Sequence, residues 1–99
     1  MTDIEKLMLK VDEGKIALHY GETAQLRQTQ EELMEWYEAI EGYINKTDTL
    51  EHMKEEAADV SVMFDQFNLM FHCEDEVNGI KRYKVDRQLK RMEAEKWSD

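Results

Sequence analysis

Glu31-Glu32-Leu33-Met34-Glu35 is followed, after a gap of twenty residues, by Glu56-Ala57-Ala58-Asp59. Each stretch sits in a segment with helical periodicity and carries carboxylates three residues apart. Residues at that spacing share one face of a helix, so each pair can aim its oxygens at one spot. Two such helices side by side bring four carboxylates together. The cluster is repulsive unless a cation lies within it, and an all-oxygen donor set suits a hard divalent ion, Mg²⁺ or Mn²⁺.

The segments around these stretches read as helices. The second is expected from about Glu22 to about Ile44, with Leu26, Leu33, Tyr37, Ile40 and Ile44 on one arc. Glu32 and Glu35 lie beside that arc, and Gln25 and Gln28 extend their stripe toward the N-terminus. Asn45-Lys46-Thr47-Asp48 breaks the pattern, with Asp48 as the expected N-cap of the third helix and Glu51 at its N3 position. Met53, Ala57, Val60, Phe64, Phe67 and Phe71 form the apolar arc of that helix. Glu56 falls on the edge of the arc and Asp59 lies beside it, whereas Glu55 points away. An unpaired carboxylate in an apolar setting is costly, and a metal is one remedy.

Upstream, Thr2-Asp3-Ile4-Glu5 has capping-box spacing, and Ile4, Leu7, Met8, Val11 and Leu18 form a stripe on a first helix. Tyr20-Gly21 ends it, with Gly21 the expected left-handed residue. Downstream, His72-Cys73-Glu74-Asp75-Glu76 is either a polar break or a bend into a last helix, expected from about Val77 to about Glu95. Lys81, Lys84, Arg87 and Arg91 share one arc of it; Ile80, Val85, Leu89 and Met92 are its apolar positions. Asp86, Glu93 and Glu95 are interspersed, so spacing alone also allows a solvated face with i, i+4 pairs.

Ninety-nine residues make a single domain, 1–99, and a chain this short buries a modest share of its surface unless it oligomerises. Four glycines and no proline favour long helices with few turns. A net charge of −10 disfavours nucleic acid or an anionic membrane as a partner. The single cysteine, Cys73, has no internal partner, which fits a reducing, cytoplasmic setting. No apolar run approaches a membrane span. Ferritin-like di-iron sites need Glu-x-x-His on helices, and none of His19, His52 or His72 has a glutamate three residues before it. There is no Ser/His/Asp or Cys/His constellation and no P-loop glycine pattern. Trp36 could stack on a base, but a large aromatic beside a helix stripe is more often core or interface. Asn68 and Asn78 could read a base edge, though an ordinary surface or loop role is commoner.

The succession EExxE (Glu31 to Glu35), then ExxD (Glu56 to Asp59), then the basic run Tyr83-Lys84-Val85-Asp86-Arg87-Gln88-Leu89-Lys90-Arg91, resembles the all-α NTP pyrophosphatases, the MazG-like proteins. The likeness covers most of the chain from about Tyr20-Gly21, and is greatest to small single-domain members such as those of phage genomes. It implies a helical subunit assembling as a dimer or tetramer. It also implies Mg²⁺-dependent hydrolysis of a (d)NTP to the monophosphate and pyrophosphate, in the manner of nucleotide-pool cleaning. By position the metal ligands would be Glu32, Glu35, Glu56 and Asp59, with Glu31 in a supporting catalytic place. Lys84, Arg87 and Arg91 would meet the phosphates. Gln25 and Gln28, on the carboxylate stripe, are assigned to substrate with them. Trp36-Tyr37 is bulkier than is usual after the motif, and the common Arg-Arg-Tyr-Pro-like ending is absent.

The expectation is therefore an all-α bundle of about four helices, a homo-oligomer acting on a nucleoside triphosphate. The alternatives are a non-catalytic helical adaptor retaining the fold, or a pyrophosphatase confined to one nucleotide such as dUTP or dCTP.

Overall fold

Two segments begin with side chains that replace missing helical hydrogen bonds. At the N-terminus, Thr2 Oγ1 accepts from the Glu5 amide and Glu5 Oε1 from the Thr2 amide, both at 3.1 Å. That is the expected capping box, and it starts α1, Asp3–Tyr20. Before the third helix the cap is Thr49, not Asp48: Thr49 Oγ1 accepts from the His52 amide at 3.1 Å. Asp48 is engaged elsewhere, accepting from the Thr49 amide with Oδ1 and facing the His52 ring with Oδ2. The computed structural model describes residues 1–97 and contains four helices, with no strand among the described residues. After α1 come α2, Glu22–Ile44, α3, Leu50–Phe71, and α4, Glu74–Glu95.

The connections are short and each has a local cause. Gly21 alone separates α1 from α2, at φ 88° and ψ 167°. This is not the left-handed helical conformation expected of it, but an extended mirror-image one that only glycine adopts without strain. Between α2 and α3 the Gly42 carbonyl accepts from the Thr47 and Asp48 amides at 2.8 and 3.1 Å. A Cβ on Gly42 would lie 2.7 Å from Asp48 Cβ, so this turn closes only over a glycine. At the end of α3, His72 is left-handed (φ 50°, ψ 43°), and its amide and that of Cys73 both donate to the Asn68 carbonyl. The ambiguous stretch after it is thus a tight corner. α4 begins at Glu74, three positions before the expected Val77, because Glu74, Asp75 and Glu76 are suited to the positive end of a helix dipole.

Packing departs from the expected apolar arcs. α2 lies along α3, α1 covers both, and the α4 backbone approaches only α3. The buried residues are Ala17, Ala39 and Met63 together with Glu13, Gln25 and Gln66. On α1 the stripe Ile4, Leu7, Met8, Val11 and Leu18 is exposed, and the opposite face, with Glu13 and Ala17, meets the bundle. On α2, Leu26, Leu33, Tyr37 and Ile44 are exposed, as are Phe64 and Phe71 on α3. In both helices the packed face is displaced about a quarter-turn from the apolar arc, at ~100° per residue. Periodicity identifies which face is apolar; it does not identify what covers it. The radius of gyration is 17.1 Å, against about 13 Å for a compact chain of this length. Among the described residues no helix is long and apolar enough to cross a membrane.

Candidate metal centre

The seam between α2 and α3 carries the carboxylates. Glu32 and Glu35 on α2 and Glu56 and Asp59 on α3 each offer one oxygen, and these four oxygens lie within 4.8 Å of one another. The i, i+3 spacing puts each pair on a single helix face, and the packed face, unlike the apolar arc, turns those faces together. Glu32 and Glu56 are half-buried; Glu35 and Asp59 lie toward solvent. Glu31 is exposed and stands outside the four.

Two i, i+4 contacts flank the cluster, a hydrogen bond on α2 and a charge-pair contact on α3. On α2, Gln28 Nε2 donates to Glu32 Oε1 at 2.8 Å. On α3, His52 Nε2 lies 3.2 Å from Glu56 Oε1, and His52 Nδ1 lies 2.6 Å from Asp48 Oδ2. In both cases the residue four positions earlier holds one oxygen of a ligand candidate. In both cases the second oxygen, Glu32 Oε2 or Glu56 Oε2, is buried with no hydrogen-bond partner. Such an atom is costly to bury unless something meets it.

The charges follow the same geometry. The Glu35 carboxyl is raised above its ordinary value, first by Glu32 beside it and then by Glu56 across the seam. His52 is raised, chiefly by its bond to Asp48, and Asp48 is lowered by the same bond. Among the described residues no ion pair joins a lysine or arginine to any of the four carboxylates. Crowded carboxylate oxygens, two of them orphaned, with the His52 ring at their edge and no lysine or arginine paired with them, fit a small hard cation.

The remaining sequence-assigned residues are dispersed. Gln25 is buried and donates to Gln66 Oε1 at 2.6 Å, so its amide lies inside the bundle. Lys84, Arg87 and Arg91 are exposed on α4, where Arg87 stacks over the Tyr83 ring at 5.8 Å. Within one chain they are not joined to the carboxylates. Trp36 is half-buried and its indole N–H lacks an acceptor. Asn68 accepts from the Cys73 thiol at the α3–α4 corner, an ordinary structural role. Sequence reasoning missed Asp48, His52 and Gln66. The first two were detectable, since Asp48, His52 and Glu56 succeed one another at i, i+4. No protein-family model, curated protein or solved structure matches the chain.

Proposed function

We propose that this chain is a Mg²⁺-dependent nucleoside triphosphate pyrophosphohydrolase, cleaving a (d)NTP to the monophosphate and pyrophosphate. The observation that carries the reading is the convergence of Glu32, Glu35, Glu56 and Asp59 from two helices onto one spot. The motif order shared with the MazG-like proteins supports it. Glu32 and Glu56 would hold the ion with their orphaned oxygens, and Glu35 and Asp59 would complete the oxygen set from the solvent side. Mg²⁺ bound there, or Mn²⁺, would offset triphosphate charge and polarise a water for attack at the α-phosphorus. Glu31, exposed and outside the cluster, has only the supporting place that the resemblance gives it. Phosphoryl transfer asks for positioning and charge compensation more than for a protein nucleophile, and no nucleophile is required of this chain.

A groove of about 430 Å³, lined by Ile16, Tyr20, Ala24, Gln28, Val62 and Met63, opens beside the Gln28–Glu32 pair. Its apolar walls and the three glutamines that line it, Gln25, Gln28 and Gln66, suit a nucleoside whose phosphates extend toward the carboxylates. Lys84, Arg87 and Arg91 are the phosphate contacts in this reading. They would reach the phosphates from a second copy, because the α4 of one chain stands apart from its own seam. The exposed stripes on α1, α2 and α3 give that second copy an apolar surface, and a homodimer or tetramer is the proposed assembly. A base-restricted form acting on dUTP or dCTP uses the same chemistry.

The separation of α4 from the seam also favours a second reading, a helical adaptor that binds partners through the exposed stripes and does no chemistry. Incubation with a panel of dNTPs and Mg²⁺, with product analysis, decides between them. Monophosphate and pyrophosphate as first products are expected. Orthophosphate and a diphosphate, or no turnover of any nucleotide, would refute the proposed activity.

A further inference from the structure

Each half-buried carboxylate of the cluster is held at one oxygen by the residue four positions before it. The two holders differ in kind. Gln28 is a simple amide donor on the exposed side of α2. His52 is itself held, because its Nδ1 lies 2.6 Å from Asp48 Oδ2. Asp48 in turn is fixed by two backbone bonds, its amide to the Gly42 carbonyl and its Oδ1 from the Thr49 amide. It is also packed so closely on Gly42 that no Cβ fits between them. The chain of contacts runs from the α2–α3 turn through Asp48 and His52 to Glu56, whose side chain is 16% exposed.

We infer that His52, locked by Asp48, is a positioning residue for the metal centre: it fixes Glu56 Oε1 so that Oε2 is presented to the cation. The inference rests on the cation-binding reading above and deepens it. Free rotation would let Glu56 swing from the crowded seam toward water, since the seam sets it against three other carboxylates. Holding one oxygen from behind removes that escape and leaves the other oxygen aimed inward. A partner that orients a ligand in this way typically contributes tenfold to a hundredfold in metal affinity. His52 touches neither substrate nor cation, so its effect is felt through Glu56 alone.

The Gln28–Glu32 pair supplies the design of the test, because it shows that an amide at i−4 can do the holding. His52→Ala removes the donor, and His52→Gln reproduces on α3 the arrangement already present on α2. The probe is Mn²⁺, titrated calorimetrically into the full chain, with melting in EDTA as the control for folding. His52→Ala is expected to weaken Mn²⁺ binding tenfold or more, with the EDTA melting temperature little changed. His52→Gln is expected to recover most of the loss, to within about threefold of the parent, because an amide at i−4 already holds Glu32 in this way. Parent-like affinity in His52→Ala, alongside lost binding in Glu56→Gln, would overturn the inference and leave the metal centre standing. Equal loss in His52→Ala and His52→Gln would also overturn it, since donation from i−4 would not be what matters. Failure of the parent chain to bind Mn²⁺, or unchanged binding in Glu56→Gln, would remove the metal centre and the inference with it.

Discussion

The α1–α2–α3 seam and α4 are both built from long helices rich in charge, yet they are used in opposite ways. The seam turns small and polar residues inward: Ala17, Ala39, Glu13, Gln25 and Gln66 are buried, and Met63 is the one large apolar residue among them. α4 packs almost nothing, and every residue from Asn78 to Trp97 is exposed. In the seam, polar groups have been taken out of water and must be satisfied by each other. On α4 the charged groups remain hydrated and exchange partners locally, as Arg82 does with Asp86 at 2.7 Å. Buried polar contacts are sensitive to single changes, whereas solvated ones contribute little. Substitutions in the seam should therefore register as stability, and those on α4 as recognition.

Glu13 should give the largest stability effect. It is 2% exposed, and burial, followed by the nearby Asp65, pushes its carboxyl up to about 7 from an ordinary 4.5. The folded chain thus keeps a proton that the unfolded chain releases. Stability is undiminished below the unfolded value, falls as pH rises through the interval from 4.5 to about 7, and stays low above it. Glu13→Gln should flatten that fall, gaining on the order of 3 kcal/mol at pH 8 and little at pH 4. Urea denaturation at both pH values measures it. An equal effect at the two pH values would show that Glu13 is not a buried acid holding a proton.

The Gln25–Gln66 pair comes next. Removing one amide leaves the other buried and unpaired, so Gln25→Leu and Gln66→Leu should each cost about 1–3 kcal/mol. The double variant should recover part of that loss, because neither donor nor acceptor is then stranded. Additive losses in a denaturation cycle would mean that the two amides do not depend on one another.

A smaller effect is expected on α4, and of a different kind. Arg87→Ala and Arg91→Ala should raise KM for the nucleotide about tenfold each, by loss of a charge-assisted contact. Melting should shift by no more than about 0.5 kcal/mol equivalent, as for an ordinary surface change. Steady-state kinetics and melting on the same samples separate the two. Unchanged kinetics would return the stripe to a solvated face, and a large melting shift would break the contrast between α4 and the seam.

The extent to which the sequence revealed this arrangement follows the same contrast. Helix bounds were legible where their signals are local and unambiguous, as with Thr2 and Glu5 at one end and Gly21 at a joint; the acidic run Glu74 to Glu76 fits a break as well as a first turn, and it hid the start of α4. The convergence of Glu32, Glu35, Glu56 and Asp59 was legible because i, i+3 spacing and two adjacent helices leave few other arrangements. The packed face was not. Leu7, Leu18, Tyr37 and Phe64 mark apolar stripes by period, but whether a stripe meets its own chain depends on long-range packing that a period does not carry. The Asp48–His52–Glu56 succession was present in the sequence. Assigning Asp48 to the helix cap concealed it, because the same carboxylate could serve either the backbone or the ring.

The metal centre itself is tested most directly at Glu56. Glu56→Gln keeps the shape of the side chain and removes one of four crowded negative charges. Thermal melts of the parent and the variant, each in EDTA and in Mg²⁺, read the result. A ligand that binds only the folded chain raises the melting temperature. The parent is expected to gain stability with Mg²⁺. Relieved of like-charge repulsion, the variant should melt at or above the metal-free parent and lose most of the Mg²⁺ response. A variant that melts lower than the parent in EDTA and still gains the full Mg²⁺ increment would contradict a cation site on the α2–α3 seam.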